Sequence, residues 1–314
     1  MEYTKLPLTY GEQADQLLRR GMTGDPNLII ERLQAVSYYR LSGYWYPFRE
    51  SNPNKPDHPM DKFRAGTSFD QVWNRYVFDR RLRLHVLDAI ERIEIAVRSQ
   101  LAYHHALRYG PFAYADDQSS MPGCTREQWH DFLDSCRRVV NRSKDVFVRH
   151  FREKYGDSHS WLPVWMAVEI MTFGSVLTFH RGCHHHLRRD LAKPFGVHAT
   201  VFDSWLLTLN TVRNICAHHG RLWNRELGVK PKIPARIAAW NAPIKVTGER
   251  MFGVLTVCKW CLDRIAPQSR WAERVRQLLS EFPDIPRLSM GFPADWATCT
   301  IWATPDSPRG AASP

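Results

Sequence analysis

The sequence lacks the long apolar runs and the ligand-binding motifs that mark many membrane proteins and cofactor-dependent enzymes. No uninterrupted apolar stretch in its 314 residues approaches the ~20 residues that a transmembrane helix needs. A Walker phosphate loop, a dinucleotide-binding glycine pattern and a His-Glu-x-x-His zinc motif are also absent from it. We therefore expect no membrane insertion and no cofactor. Any chemistry must then come from side chains outside these known motifs.

The seven cysteines have neither the even number nor the spacing of a disulfide framework. Cys258 and Cys261 are spaced like half of a zinc site, but no second such pair follows. The run Cys183-His184-His185-His186 indicates at most adventitious metal binding. The first five residues do not show the basic and then apolar pattern of a signal peptide. We expect reduced thiols in a cytoplasmic protein without a metal site.

Signals for β-structure are scarce. Asn-Gly and Asp-Gly pairs, the strongest hairpin signals, are absent, and period-two alternation is rare. Apolar residues recur at helical spacing along most of the chain, which predicts an all-α fold. The predicted helices cover residues 10–20, a segment starting at Pro26, 68–108, a segment from a capping box at Thr125 to Arg142, a segment ending near Tyr155, 162–173, 187–195, 201–221, 249–265 and 271–282.

Other segments divide the chain. Residues 37–49 crowd aromatic side chains around Gly43 and predict a turn whose rings enter the core, rather than a platform for stacking bases. We predict N-terminal helices and this turn in residues 1–60, packed on a main domain of residues 61–282. Residues 283–314 form a C-terminal extension, of which the tail from Pro305 is predicted to be disordered.

The charge is strongly basic. Lys and Arg outnumber Asp and Glu by 43 to 32, which gives a net charge of +11. This excess favours a polyanionic partner such as RNA or DNA, although it can also serve solubility alone. Most of the basic residues are arginines, which suit bidentate contacts to phosphate. Basic stretches at Arg80-Arg81-Leu82-Arg83, Arg137-Arg138 and Arg188-Arg189 are candidates for such contacts.

Two carboxylates stand out in helical segments. Glu94 lies four residues before Arg98, the favourable spacing for an ion pair on a helix. The pair is either a surface ion pair or a carboxylate that supports an active-site group. Glu169 lies among apolar neighbours, so burial would require a partner for it.

The densest cluster of reactive side chains is Arg213-Asn214-Ile215-Cys216-Ala217-His218-His219-Gly220-Arg221-Leu222-Trp223-Asn224-Arg225. Arginine binds phosphate oxygens, and histidine transfers protons near neutral pH. Cleavage of RNA by its own 2′-hydroxyl needs a base, donors to the phosphorane and an acid for the leaving oxygen. The same residues also suit the capping of a helix C-terminus, which is the structural alternative.

The spacing of the cluster leaves its geometry open. Arg213 and His218 are five residues apart, about 140° around an ideal helix. They meet only if the helix distorts, or if two copies converge across a two-fold axis. Asn214 lies four residues before His218 and can orient it, and a helix ending at Gly220 can present either His218 or His219.

Three blocks of the sequence resemble one known family. They are Tyr38-Tyr39-Arg40-Leu41-Ser42-Gly43-Tyr44, then Tyr76–Arg83 with Ile90–Glu94, and then the Arg213–Arg225 cluster. In this order they are similar to the Abi-like (AbiD/AbiF) abortive-infection family of the HEPN ribonuclease superfamily, whose hallmark is Arg-x4–6-His. The resemblance covers roughly residues 10–265.

The resemblance implies a HEPN-type helical bundle with additional N-terminal and C-terminal helices. It implies a metal-independent endoribonuclease that leaves a 2′,3′-cyclic phosphate and acts in anti-phage abortive infection or as a toxin. The alternative is a catalytically inactive HEPN module that holds a regulatory RNA. The single motif favours a homodimer, and an antitoxin or regulatory RNA is a possible further partner besides the RNA substrate.

The resemblance also assigns residues. Arg213 and His218 are carried over as catalytic, with Asn214 and His219 as neighbours; the spacing fits either histidine. We expect Arg221, Arg225, Arg80 and Arg98 to bind RNA, and Glu94 to be the supporting carboxylate.

Overall fold

The computed structural model describes Glu2, residues 6–55 and residues 57–303. Within these residues the chain is all-α, with isolated bridges but no strand, which confirms the predicted fold class. The helices are α1 (Tyr10–Arg19), α2 (Pro26–Val36), α3 (Tyr38–Trp45), α4 (Phe69–Tyr109), α5 (Ala113–Asp116), α6 (Arg126–Arg142), α7 (Val146–Tyr155), α8 (Val164–Ile170), α9 (Phe173–Gly182), α10 (His185–Ala192), α11 (Ala199–Ala217), α12 (Met251–Ile265) and α13 (Trp271–Glu281).

The described residues group into two compact units. The first unit comprises Met1–Leu82 and Gln277–Ile285, and the second comprises Arg83–Arg276 and Pro286–Pro314. Helices α4 and α13 each contribute residues to both units. The domain limits after residues 60 and 282 stay predictions, and the tail from Pro305 lies outside the described residues.

Local sequence signals fix the starts of the helices in the first unit. Thr9 and Glu12 form a reciprocal capping box before α1. Asp25 caps α2 by accepting the Asn27 N–H at 2.9 Å, and Pro26 occupies the first helical position. These caps satisfy amides that have no partner inside the helix, so both helices begin close to where the sequence predicts.

The aromatic segment is a helix and not the predicted turn. Residues 38–45 form α3, and a short 3-10 helix follows at Tyr46–Phe48. The side chain of Ser37 accepts the Arg40 N–H, which starts the helix in spite of Gly43. The interpretation as aromatic core holds for three rings, because Tyr44, Trp45 and Phe48 are buried. Tyr39, by contrast, is 89% exposed.

The core of the second unit surrounds α11 and α12. Every residue of α12 from Met251 to Leu262 is buried, so this helix passes through the interior. Cys258 and Cys261 are 0% exposed on it, which supports a packing role. All seven cysteines are buried, and no disulfide joins them in the described part of the chain. Burial raises the pKa of the Cys136 thiol to about 12.

One predicted helix of the second unit is wrong. The sequence predicts a continuous helix from Leu162 through Phe173, but α8 ends at Ile170 and α9 begins at Phe173. Thr172 breaks the pattern because its hydroxyl accepts the Ser175 N–H at 3.1 Å and caps a new helix. Glu169 is exposed, so the partner expected for a buried carboxylate is not required. None of the described helices combines the length and the apolar character needed to cross a bilayer.

His105 lies deep inside the second unit. It is 0% exposed, and within the described residues neither ring nitrogen has a hydrogen-bond partner. Its ring packs against Phe179 and Tyr109, with centroids at 4.8 and 5.0 Å. Burial lowers the pKa of His105 to about 4, because the charged imidazolium would lose its hydration.

We expect this histidine to make the fold sensitive to acid. Since its folded pKa lies below the unfolded value, the unfolded chain binds the proton first, and stability falls as the pH drops from ~6.5 towards 4. Between about pH 7 and about pH 4.5, the wild type should lose about 2 kcal/mol more than His105→Leu. Urea unfolding of both proteins at these pH values measures the difference, and equal losses would exclude His105 as the source.

Candidate functional site

Helix α11 carries the arginine and histidine cluster at its C-terminal end. One face of the helix is buried at Phe202, Trp205, Leu206, Leu209, Val212 and Cys216. The same 19 residues place Asn214 on the exposed side and Arg213 at the boundary. The core packing therefore fixes the direction in which the cluster leaves the helix.

The helix ends earlier than the sequence predicts, at Ala217 instead of about Arg221. The Gly220 N–H donates to the Ile215 carbonyl at 2.8 Å, and the His219 N–H donates to the Cys216 carbonyl at 3.0 Å. This pair of bonds is the Schellman motif, which reverses the chain after a helix. His218 and His219 therefore lie on the turn and not on a helical face, and both are exposed.

The turn places a histidine where helices usually have glycine. His219 has a φ of 57°, in the left-handed region. A side chain in this region costs roughly 1–2 kcal/mol, because its Cβ approaches the backbone. The glycine of the motif, Gly220, lies one position later, where its backbone packs closely against Ile215. A Cβ on Gly220 would lie 3.1 Å from Ile215 Cγ2 and 3.2 Å from its carbonyl oxygen. The strain at His219 thus follows from how the turn is built.

Buried side chains anchor the chain beyond the turn. Leu222 and Trp223 are 0% and 1% exposed, and Leu227 is 3% exposed. The Leu227 N–H donates to the Glu249 carbonyl at 2.9 Å, and the Arg250 guanidinium donates to the Asn224 carbonyl at 3.3 Å. The turn is held from both sides, so the histidines stand on a fixed backbone.

Asn214 connects the arginine to the turn. Its amide oxygen accepts a hydrogen bond from Arg213 Nη1 at 3.4 Å. Its backbone carbonyl accepts the His218 N–H at 3.0 Å. The side chain of Asn214 therefore steadies Arg213, while the backbone positions His218.

Further arginines surround the turn. Arg225 folds back so that its Nε donates to the Arg221 carbonyl at 2.9 Å. Its Nη2 lies 3.8 Å from the point that a Cβ on Gly220 would occupy. From the interior, Arg83 Nη1 donates to the Gly220 carbonyl at 3.4 Å. The structure thus brings Arg221 and Arg225 to the same turn as the two histidines.

Arg83 was named in the sequence only as part of a basic stretch, and its role at the turn after α11 was missed. It is only 6% exposed and supports the backbone at Gly220. Helical spacing places it on the same face as the buried Val86, Ile90 and Ile93. A cation in a core position needs a fixed partner, and this signal was available in the sequence.

The other predicted arginines lie elsewhere. Arg98 is 8% exposed, and its guanidinium donates to Glu94 and to the Val168 carbonyl. Glu94 therefore holds a largely buried arginine of the second unit. Arg80 is exposed and belongs to the first unit. RNA contacts at Arg80 and Arg98 stay predictions.

Three consecutive histidines at the start of α10 lie close enough together to form a candidate metal-binding cluster. The nearest ligand atoms of His184, His185 and His186 all lie within 4.8 Å of one another. Burial and then the neighbouring charges, including those of Arg189 and Arg108, lower the pKa of His186. These positive neighbours oppose a metal cation, and the cluster lies outside the α11 turn.

Comparison with known proteins identifies a family for the chain. The model of the family described as Abi-like protein matches residues 31–224. This range is more than half of the 314-residue chain and includes the aromatic helix α3, all of α4 and the turn after α11. No curated protein and no solved structure matches the chain.

The strain at His219 leads to a prediction about stability. We expect His219→Gly to stabilise the second unit by about 1 kcal/mol and to raise its melting temperature by about 2 °C, because glycine adopts a positive φ without a Cβ clash. His219→Ala keeps the clash and is the matched control, without a gain. Thermal melts of the three proteins make this comparison. A lower melting temperature for His219→Gly would show that contacts of the ring outweigh the backbone strain.

Proposed function

Because the chain belongs to the Abi-like protein family, which supports a role in abortive infection, we propose that it is a metal-independent endoribonuclease. We also propose that its helical fold is related to that of the HEPN superfamily. The observation that carries the proposal is the turn after α11, where two exposed histidines follow Arg213 within six residues. A phosphate-binding cation beside proton-transfer groups is what cleavage by an RNA 2′-hydroxyl requires.

The residues divide the reaction between them. One histidine of the pair His218 and His219 removes the proton of the 2′-hydroxyl as its oxygen bonds to phosphorus. The bond from phosphorus to the 5′-oxygen breaks, and a second protonated imidazole supplies the proton to the leaving oxygen. Arg213, steadied by Asn214, binds the phosphate and stabilises its developing charge. The products are a 2′,3′-cyclic phosphate and a 5′-hydroxyl.

The turn gives the two histidines different backbone conformations. His218 has a φ of −88°, which any residue adopts easily. His219 has a φ of 57°, which the Schellman turn requires at this position, so the strain follows from the turn and does not identify the base. Either imidazole of the pair can take the proton of the 2′-hydroxyl, and the other then protonates the leaving oxygen.

Recognition of the RNA depends on charge around the turn. Arg221 and Arg225 surround the histidines and can contact phosphates on either side of the cleaved bond. A homodimer with a two-fold axis would bring two such sets over one cleft and double the number of arginines and histidines at each RNA. An antitoxin or regulatory RNA would bind the same cationic surface and keep substrate out.

The test is cleavage of a mixed RNA pool in EDTA by the wild type and by Arg213→Ala, His218→Ala and His219→Ala. We expect cyclic-phosphate products from the wild type and a loss of about 100-fold or more in each variant, since each removes a phosphate-binding or proton-transfer group. Product ends are identified by mass spectrometry. Arg149→Ala and His150→Ala are matched controls, because both residues are exposed on α7.

Three outcomes are distinct. Loss in the three site variants with full activity in the α7 controls supports the proposal. Equal cleavage by all proteins would mean that the activity lies at another site. Absence of cleavage by the wild type, with RNA binding retained, would favour the inactive module that holds a regulatory RNA.

A further inference from the structure

A further cavity lies at the other end of α11. It has a volume of about 890 Å³ and is formed by three separate chain segments. These are the end of α10 with the 3-10 turn after it, the first turn of α11, and the loop at residues 234–237. Lys193, His198 and Arg236 are exposed at its wall, so the cavity opens to solvent.

The wall of this cavity is cationic. Arg189, Lys193 and Arg236 line it, with Asp190 as its one carboxylate. Within the described residues, none of the three cations has a carboxylate partner within ion-pair distance. The neighbouring Arg188 differs, since Asp203 binds its guanidinium. Three cations around an open cavity that has a single carboxylate leave a net positive charge, which attracts a polyanion.

The cavity also has apolar surface. Val197, Val201, Pro234 and Ile237 lie between the charged residues. An inorganic phosphate would leave this surface uncovered, whereas a nucleotide places a base or ribose on it while its phosphate contacts the cations. The lining therefore fits a segment of single-stranded nucleic acid better than a small anion.

Helix α11 sets the separation between this cavity and the turn that carries His218 and His219. The helix has 19 residues, which at a rise of about 1.5 Å per residue span about 28 Å. A stacked strand advances about 3.4 Å per nucleotide, so about eight nucleotides bridge this length. Both ends of one rigid helix thus present positive charge at a spacing that one RNA strand can follow.

We propose that the cavity lined by Arg189, Lys193 and Arg236 is a second RNA-binding site, which holds the substrate strand about eight nucleotides from the cleaved bond. The proposal rests on the proposed function, because the RNA is the substrate of the α11 turn. The cavity supplies affinity and a minimum substrate length, and the turn supplies the chemistry. Arg189 and Arg236 are binding residues in this account and contact no reacting atom.

The experiment measures binding and length dependence together. The probes are fluorescent 2′-O-methyl RNAs of ~6 and ~18 nucleotides, which resist cleavage by a 2′-hydroxyl. For Arg189→Ala with Arg236→Ala, we expect the Kd of the longer RNA to rise about tenfold and that of the shorter RNA to stay unchanged. The slope of log K against log salt for the longer RNA should become shallower by about 1.4, because each of the two arginines neutralises one phosphate of a single strand and contributes about 0.7 to the slope.

The matched control removes two charges elsewhere in the same unit. Arg142 and Arg149 are exposed, belong to α6 and α7 and make no ion pair in the described part of the chain. The double variant Arg142→Ala with Arg149→Ala should bind both RNAs like the wild type. Equal weakening in the two double variants would show an effect of net charge alone and would overturn the proposal.

A cleavage assay separates this site from the catalytic one. With ordinary RNA of both lengths, the cavity variant should raise KM for the longer substrate and leave kcat unchanged. If the wild type cleaves nothing but the cavity variant still loses affinity for the longer RNA, the proposed function fails and the second site stands. If the cavity variant binds and cleaves both lengths like the wild type, the second site is wrong and the nuclease assignment is unaffected.

Discussion

The turn that ends α11 is the constraint on which the candidate site depends. Two backbone hydrogen bonds, from Gly220 to Ile215 and from His219 to Cys216, reverse the chain within three residues. The buried Leu222 and Trp223 beyond it prevent the helix from continuing, since an added turn would pull both side chains out of the core. The buried Arg83 holds the carbonyl of Gly220. Backbone geometry and burial together, more than contacts between the reactive side chains, present Arg213, His218 and His219.

Local signals made much of this fold predictable. The capping residues Thr125 and Asp25 identify the starts of α6 and α2, because side-chain caps act over two or three residues and are visible in the sequence. The break between α8 and α9 was missed, since Thr172 interrupts an apolar pattern that otherwise continues. The short α3 was missed because Gly43 and the crowded rings indicate a turn, whereas tertiary packing of Trp45 favours the helix.

The candidate site could be predicted from the sequence less completely than the fold. The sequence identifies Arg213 and the histidines by residue type, but the end of the helix depends on which residue adopts the left-handed conformation. Glycine is the usual choice, so Gly220 indicates a helix that ends later than α11 does. The role of Arg83 depends on a contact between residues 137 positions apart. Spacing within one helix cannot predict such a contact, although the position of Arg83 on a buried face was a usable sign.

The left-handed histidine has a consequence for how such proteins diverge. A chain that keeps the turn but no longer needs the imidazole gains stability by exchanging His219 for glycine, so relaxed selection should move the position in that direction. Under the proposed function, retention of histidine there against the backbone preference reflects selection for proton transfer. If the proposed nuclease activity holds, the residue at this one position would separate active members of the family from members that have kept only the scaffold.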